Sequence, residues 1–318
     1  MINNNFKFNI LSGFVPNDSF SNLKKYNIKE VYVGYFDDHS EKKWPVAFNV
    51  INRRGEGASF YNIKSFQNFA KTAKENKIDV YVAFNVFYSK EQLDWVIKSI
   101  IRVSKYSAVK GIIISDIGLL LKLQKLKYKK KIIISTLSTI FNKYSIAFFA
   151  NFGAKRFVLD RQLTAKEILN IIKTFPQYQY ELFFLMGDGC LFIDGYCSSM
   201  HIQEIKTDKK YNTTINETLC MKLINEQKLS DKLKSYKCNV CLLYYLKGLK
   251  NITLKIPNRT ITNSTYDNIV NLIEEIENLF TIKNISFKKF NIACKKIFKK
   301  NKGFSCNPKV CLCRDLLV

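Results

Sequence analysis

Short apolar runs alternate along the chain with segments whose apolar positions recur at helical spacing. The apolar runs predict strands at residues 8–14, 30–35, 78–86, 110–116, 131–135, 156–160, 182–186 and 252–256. The helical spacing predicts helices at residues 19–25, 63–76, 91–103, 117–125, 142–152, 242–246 and 266–279. Another helix is predicted to begin after Thr164, which has Glu167 three residues on, the spacing of a capping box. Gly153 is placed to end the predicted helix at residues 142–152.

Eight strands separated mostly by helices predict parallel strands covered by helices, and eight strands close a (β/α)8 TIM-like barrel. The competing open doubly wound sheet would want a G-x-G-x-x-G turn after the first strand, and Leu11-Ser-Gly-Phe does not supply one. The polar segment 198–240 interrupts the repeat, so we interpret it as an insertion over the barrel mouth. We therefore divide the chain into a barrel domain, residues 1–285, and a C-terminal basic helix with a Cys-rich tail, residues 286–318.

Charge changes this picture little. The net charge of +25 would suit RNA or an anionic surface. The excess is lysine, however, and it accompanies abundant Asn, Ile, Phe and Tyr, as codon bias also produces. The lysines are dispersed except at residues 128–131 and 295–302. We expect no DNA partner and leave RNA open.

The sequence also predicts where the protein works. No apolar stretch reaches the roughly 18 residues of a membrane span. The N-terminal MINNNFKFNI lacks the basic and apolar regions of a secretory signal. We therefore expect a cytoplasmic protein without a membrane span.

The cysteines carry the strongest chemical signal. The chain has nine, and eight of them lie after residue 190, which favours metal binding over an extracellular disulfide framework. An apolar run ends in Gly187-Asp-Gly, and Cys190 follows directly, with Cys197 seven residues later and Gly195 between them. Glycines there let the backbone approach a bulky group.

Three more cysteines follow along the chain: Cys220, Cys238 and Cys241. With Cys190 and Cys197 they give five candidates for the four ligand positions of an iron–sulfur cluster or a zinc ion. Structural zinc usually uses two tight C-x2-C pairs, and this region has one, Cys238-x2-Cys241, so a cluster is favoured over zinc.

Other reactive residues leave alternatives open. Cys306, Cys311 and Cys313 could bind another metal, complete the first site or be reactive surface thiols, whereas Cys294 is predicted to lie in the core. The chain has two histidines and no recognisable Ser-His-Asp arrangement, which gives a His-dependent protease little to work with.

Polar residues follow the predicted strands, at the end of a barrel where chemistry takes place. We select Asp116, Arg161 and Arg259 as candidates for the substrate pocket. Arginine suits a carboxylate or phosphate because it is always charged and binds two oxygens at once.

Several segments between residues 7 and 280 resemble the peptidase U32 family of collagenase-like proteases. They include residues 55–64 (GEGASFYNIK), 79–85 (DVYVAFN), 111–119 (GIIISDIGL) and, most specifically, 152–168 (FGAKRFVLDRQLTAKEI). The family's cysteine signature is similar in its C-x6-C spacing and corresponds here to Cys190, Cys197, Cys220 and Cys241. Met186 stands where the family has a histidine, Pro257 stands where it has an acidic residue, and Cys238 could replace Cys220.

The resemblance implies that these four cysteines bind a [4Fe–4S] cluster. In its better understood branches the family supports oxygen-independent or prephenate-dependent hydroxylation of tRNA or rRNA bases, or of a quinone precursor's ring, the latter with paired sibling subunits. We therefore expect an iron–sulfur enzyme acting on an RNA base or a small aromatic substrate, with a sibling subunit as a possible partner. The alternatives are a U32 peptidase and a non-catalytic subunit that binds zinc or a cluster.

Overall fold

The computed structural model describes residues 6–35, 59–184, 195, 238–256, 263–300, 306 and 311–316. Its strands are β1 (Asn9–Gly13), β2 (Glu30–Tyr35), β3 (Ser59–Phe60), β4 (Asp79–Phe84), β5 (Val109–Ile114), β6 (Lys131–Ile134), β7 (Arg156–Val158), β8 (Gln179–Phe183) and β9 (Ile252–Ile256). Each strand pairs in parallel with its neighbours, and β1 pairs with both β2 and β9. Eight strands therefore close into the predicted barrel, and the two-residue β3 extends the sheet beside the end of β2.

Helices connect most of the strands, as in the predicted barrel. They are α1 (Phe20–Lys25), α2 (Ile63–Glu75), α3 (Lys90–Ser104), α4 (Ile117–Lys125), α5 (Lys143–Asn151), α6 (Ala165–Thr174), α7 (Leu243–Leu246), α8 (Asn263–Leu279) and α9 (Phe287–Lys300). Thr164 and Glu167 form the predicted capping box at α6. Ser89 and Gln92 form another at α3, which we did not predict. Gly153 follows α5 with φ +93°, a conformation that glycine adopts without strain.

One strand lies earlier than the sequence indicated. The apolar run predicted a strand at residues 182–186, whereas β8 spans Gln179–Phe183. Polar Gln179 and Glu181 hid the start of this strand. Glu181 is fully buried inside the barrel beside two cations, so its charge is compensated there.

Alternation along the strands separates two cores. One set of side chains faces the helices and joins the large cluster that includes Val31, Ile112 and Leu254. The alternate set fills the barrel: Leu11, Tyr32, Tyr81, Ile113, Ile133, Val158 and Phe183. The period of two in a strand produces this division directly.

The C-terminal segments pack onto the barrel. On α9, Phe290 stacks on Phe280 with ring centroids 5.1 Å apart, and Cys294 and Phe298 join the large core cluster. Within the described ranges, no helix has the length and apolar character to cross a membrane.

Candidate functional site

A chain of buried charges runs through the barrel interior. The guanidinium of Arg156, 1% exposed, binds both carboxylate oxygens of Glu30 at 3.0 and 2.7 Å. Its Nε lies 2.8 Å from Glu181 Oε1, and Lys255 Nζ lies 2.6 Å from Glu181 Oε2. Burial raises the pKa of Glu181, but the two cations outweigh it and hold the pKa below its ordinary value. Each charge is therefore matched by an opposite one.

Two cations share an aromatic ring near the mouth. Lys255 is the fourth of the five residues of β9, so its side chain lies toward the carboxyl end of the strand. Its Nζ is 4.6 Å from the ring centroid of Tyr32 and 5.8 Å from that of Phe183. The Arg161 guanidinium lies over the same Phe183 ring at 4.8 Å. Positive charge beside aromatic faces suits an anionic or aromatic ligand.

Asp116 lies at the end of β5, as predicted, and acts there as the N-cap of α4. Its carboxylate accepts hydrogen bonds from the backbone N–H of Leu119 at 2.7 Å and of Tyr88 at 3.2 Å. The two carboxylate oxygens thus join the start of α4 to the loop after β4, which gives Asp116 a positioning role in this structure.

Other polar groups line the strand ends. Ser115, Ser135 and Asp160 are buried. Ser138 Oγ donates to the Ser115 carbonyl at 3.1 Å, and Asn85 Nδ2 lies 3.5 Å from Ser135 Oγ. These bonds tie the loops after β4, β5 and β6 to one another.

The backbone at Gly195 passes closely over this surface. A Cβ atom there would lie 2.6 Å from the Leu137 carbonyl oxygen and closer still to the Thr139 methyl group. Only glycine fits such an approach. Gly195 therefore lies against the loop after β6.

Two of the predicted ligand candidates, Cys238 and Cys241, lie in the described part of the chain, at the end of β8. Asn239 Nδ2 donates to the Phe183 carbonyl at 2.6 Å and so anchors the residues between Cys238 and Cys241 to this strand. Cys241 is 7% exposed, and Asn291 Nδ2 on α9 lies 3.0 Å from its sulfur. The other predicted site residues lie outside the described residues: Cys190, Cys197, Cys220 and Arg259.

The C-terminal tail brings further cysteines to the same place. Cys311 forms a parallel bridge with Cys238, and Leu312 N–H donates to the Cys238 carbonyl at 3.1 Å. Leu312 also packs against the barrel's inner cluster. We call the cysteines of this region the mouth thiols: Cys238, Cys241, Cys294, Cys306, Cys311 and Cys313.

The mouth thiols influence one another's ionisation. Burial, together with the neighbouring thiols Cys241, Cys311 and Cys306, raises the pKa of Cys238 to about 12. Burial likewise raises the pKa of Cys241 to about 11, against the hydrogen bond from Asn291. The thiol hydrogen bond from Cys313 lowers the pKa of Cys311.

As the described side chains stand, no three His, Cys, Asp or Glu residues form a group ready to hold a metal ion. The donor chemistry of Cys241 nevertheless fits a thiolate ligand. The Cys241 sulfur accepts an N–H hydrogen bond from the Asn291 amide. Such bonds stabilise and tune metal-bound thiolates.

A basic cleft of about 650 Å³ lies at the opposite end of the barrel. It is lined at the amino ends of β5 and β6 by Lys110, Lys129, Lys130, Lys131 and Lys155 among others. Lys130 donates to the carbonyls of Tyr106 and Val109, and Lys131 donates to Gln179. Several of these cations therefore already serve the fold.

The sequence analysis missed the interior charges, although a signal was present. Arg156, Glu181 and Lys255 lie on strands whose other residues are mostly apolar. A charged residue inside an apolar strand indicates burial with a partner. The partner of each could not be read from the sequence, because it lies on another strand.

Taken together, these features define a parallel α/β barrel whose mouth carries thiols and cations. A family model described as Peptidase family U32 matches residues 17–308, and the chain therefore belongs to this family. No curated protein matches the sequence significantly.

Comparison with solved structures gives matches at low identity and with TM-scores below 0.5. The U32 peptidase Mk0906 is 11% identical, with a TM-score of 0.42 over 57% of this chain and 70% of that one. Oxaloacetate acetylhydrolase is 8% identical, with a TM-score of 0.43 over 92% and 90%. A 2,3-dimethylmalate lyase of the PEP mutase/isocitrate lyase superfamily is 9% identical, with a TM-score of 0.41 over 92% and 91%. Similarity at this level says nothing about activity.

Proposed function

We propose that this U32 protein binds a [4Fe–4S] cluster and supports hydroxylation-type modification of an RNA base or a small aromatic substrate. The proposed ligands are Cys190, Cys197, Cys220 and Cys241, with Cys238 as the alternate ligand. The observation that supports this best is the placement of Cys241, a buried thiol at the barrel mouth with an N–H donor on its sulfur. When bound, the cluster would pass electrons or hold a substrate oxygen.

The residues around Phe183 are proposed to bind the substrate. Arg161 and Lys255 lie over this ring at 4.8 and 5.8 Å, so a planar anionic group would meet two cations and an aromatic face. The buried Glu181 holds the Lys255 ammonium in place. Asp116 orders the neighbouring loop through its bonds to Tyr88 and Leu119, and Arg259 remains a candidate from the sequence.

Metal analysis of anaerobically purified protein tests the cofactor. We expect about four irons and four sulfides per chain with visible absorption. Cys190→Ala should lose most of the iron, while Cys294→Ala, which changes a buried thiol outside the proposed ligand set, should keep it. Stoichiometric zinc without colour, or full iron in Cys190→Ala, would contradict the proposal.

Mass spectrometry of RNA nucleosides and quinones from cells lacking the protein tests the reaction. We expect one hydroxylated product to disappear and its precursor to accumulate. Arg161→Met should reduce that product more than Arg161→Lys, because lysine retains the charge. Cleavage of a defined peptide that survives removal of iron would instead support the peptidase alternative. Co-purification with a second U32 chain would support a paired assembly.

A further inference from the structure

The connections that lead into the strands make one end of the barrel strongly basic. They lie at the amino ends of the strands, opposite the mouth. In the described part of the chain these connections are residues 26–29, 76–78, 105–108, 126–130, 152–155, 175–178 and 247–251. None of them contains Asp or Glu, and six carry exposed lysine, one in each being Lys29, Lys77, Lys105, Lys129, Lys155 and Lys250. We call the surface formed by these six lysines and the basic cleft the basic face.

The composition of the chain does not account for this distribution. The chain has 26 acidic residues for 51 basic ones, so composition alone would place several carboxylates in these connections. The described connections at the mouth do contain carboxylates: Asp18, Asp116 and Asp160.

Two carboxylates do lie at the basic end, but both are already paired. Glu30 begins β2 and binds Arg156, and Asp79 begins β4 and lies 3.8 Å from Lys110. Within the described residues, the positive charge of the basic face is therefore left largely uncompensated.

Local structure concentrates this charge in the basic cleft. The register between β4 and β5 shifts at Lys110, which is thus the extra residue of a β-bulge and is exposed between two buried residues. Lys130 Nζ donates to the carbonyls of Tyr106 and Val109 at 2.9 and 2.6 Å, so neutral groups hold its ammonium without cancelling its charge. Burial and the charge of Lys110 lower the pKa of Lys130. An anion in the cleft would relieve this repulsion.

Aliphatic side chains are exposed among these lysines. Leu126 and Leu249 lie in two of the same connections and are 56% and 37% exposed. Ile282 is 51% exposed and follows Phe280, whose ring contacts that of Phe8 just before β1, so it belongs to the same end of the barrel. Lysines around exposed aliphatic groups are typical of surfaces that rest on anionic lipid. Sites for single-stranded RNA present aromatic rings for stacking instead.

We propose that the basic face docks on the surface of an anionic lipid bilayer. The six lysines meet headgroup phosphates, and the basic cleft of about 650 Å³ accommodates one of them beside Lys110 and Lys130. Leu126, Leu249 and Ile282 enter the interface between headgroups and acyl chains. The mouth then faces away from the bilayer. The proposal is independent of the proposed function, because it uses none of the mouth residues.

Sedimentation with lipid vesicles tests the proposal on the full chain. We expect binding to vesicles of phosphatidylcholine and phosphatidylglycerol in a two-to-one ratio, and none to phosphatidylcholine alone. Molar salt should abolish the binding, because it screens the charges. The Lys105→Gln/Lys129→Gln/Lys155→Gln variant should bind about 100-fold more weakly, since each lysine near an anionic surface contributes about fivefold.

A matched variant removes the same charge from the other end of the barrel. Lys64→Gln/Lys90→Gln/Lys143→Gln changes exposed lysines in the first turns of α2, α3 and α5, at the mouth end. This variant should bind vesicles within about twofold of the wild type, and circular dichroism checks that both triple variants are folded. Equal loss in the two triple variants, or a wild type that does not bind anionic vesicles at low salt, would overturn the proposal.

The exposed aliphatic residues distinguish lipid from RNA. Leu126→Gln/Ile282→Gln should weaken vesicle binding at least about fivefold and leave any binding of transfer RNA unchanged, because only a bilayer takes up apolar groups. Vesicle binding that this variant leaves unchanged would contradict the docking geometry. Binding of transfer RNA that depends on Lys105, Lys129 and Lys155, without vesicle binding, would overturn the proposal and assign the basic face to RNA.

Discussion

The barrel interior and the barrel mouth both gather ionisable groups, but they balance them differently. Inside, Glu181 lies between Arg156 and Lys255, and Arg156 also binds Glu30, so opposite charges alternate. At the mouth, thiols adjoin thiols, and several raise one another's pKa values. A set of opposite charges is complete in itself. The mouth thiols have no such opposite charge among them, and the cluster that we propose would supply the cation.

Removing one interior charge gives the largest expected effect. Glu181→Gln leaves the Lys255 ammonium without its carboxylate in a buried place, and we expect the free energy of unfolding to fall by about 3–5 kcal/mol. Urea unfolding of the metal-free protein measures it. Glu274→Gln, which removes an exposed ion pair of 3.9 Å with Lys7, should cost less than about 1 kcal/mol. If Glu181→Gln lost as little stability as Glu274→Gln, the buried charges would not differ from exposed ion pairs in the way we expect.

Acidification should reduce the contribution of the Glu181 carboxylate to stability. The folded-state pKa of Glu181 lies below its ordinary value of 4.5, so its contribution to stability is present above that pH. The contribution is lost as the pH falls toward the folded-state pKa, by about 1.4 kcal/mol per pH unit. The difference in unfolding free energy between wild type and Glu181→Gln should therefore shrink with acidification. A difference that stays constant from neutral pH to pH ~3 would contradict this.

Crowding the mouth should have a smaller effect. Gly195→Ala places a methyl group against the Leu137 carbonyl and the Thr139 methyl, and we expect a loss of about 1–3 kcal/mol. Gly248→Ala is the matched control, because a Cβ there meets open space and its positive φ of 84° alone costs about 1 kcal/mol. Thr139→Ser should recover part of the loss in Gly195→Ala. Equal stability of Gly195→Ala and wild type would contradict the close approach of the Gly195 backbone to Leu137 and Thr139.

The smallest predicted effect concerns the tail. Asp315→Ala removes the acceptor of Lys166 N–H and should cost about 0.5–1 kcal/mol, confined to the tail and the first turn of α6. Hydrogen exchange at Lys166 should speed up, whereas Asp315→Asn, which keeps an acceptor oxygen, should show much less change. Unchanged exchange in Asp315→Ala would mean that the tail docks by Leu312 alone.

Much of the fold followed from local patterns. Alternating apolar runs and helical periods predicted eight parallel strands and closure into a barrel, and the Thr164–Glu167 spacing predicted the cap of α6. These features depend on residues close together in the chain, where steric and hydrogen-bonding preferences act directly. The start of β8 was placed too late, because Glu181 has its partners on β7 and β9 and local polarity could not reveal them.

By itself the sequence determined the barrel and the family, and its nine cysteines are the basis of the cofactor that we propose. Tertiary structure decided which groups meet: Asp116 became a helix cap, Arg161 came to lie over Phe183, and the tail cysteines came to lie beside Cys238. The physical reason is that a strand or helix is specified by neighbours in sequence. A site, in contrast, is specified by which loops share one end of the barrel, and that depends on closure of the whole sheet.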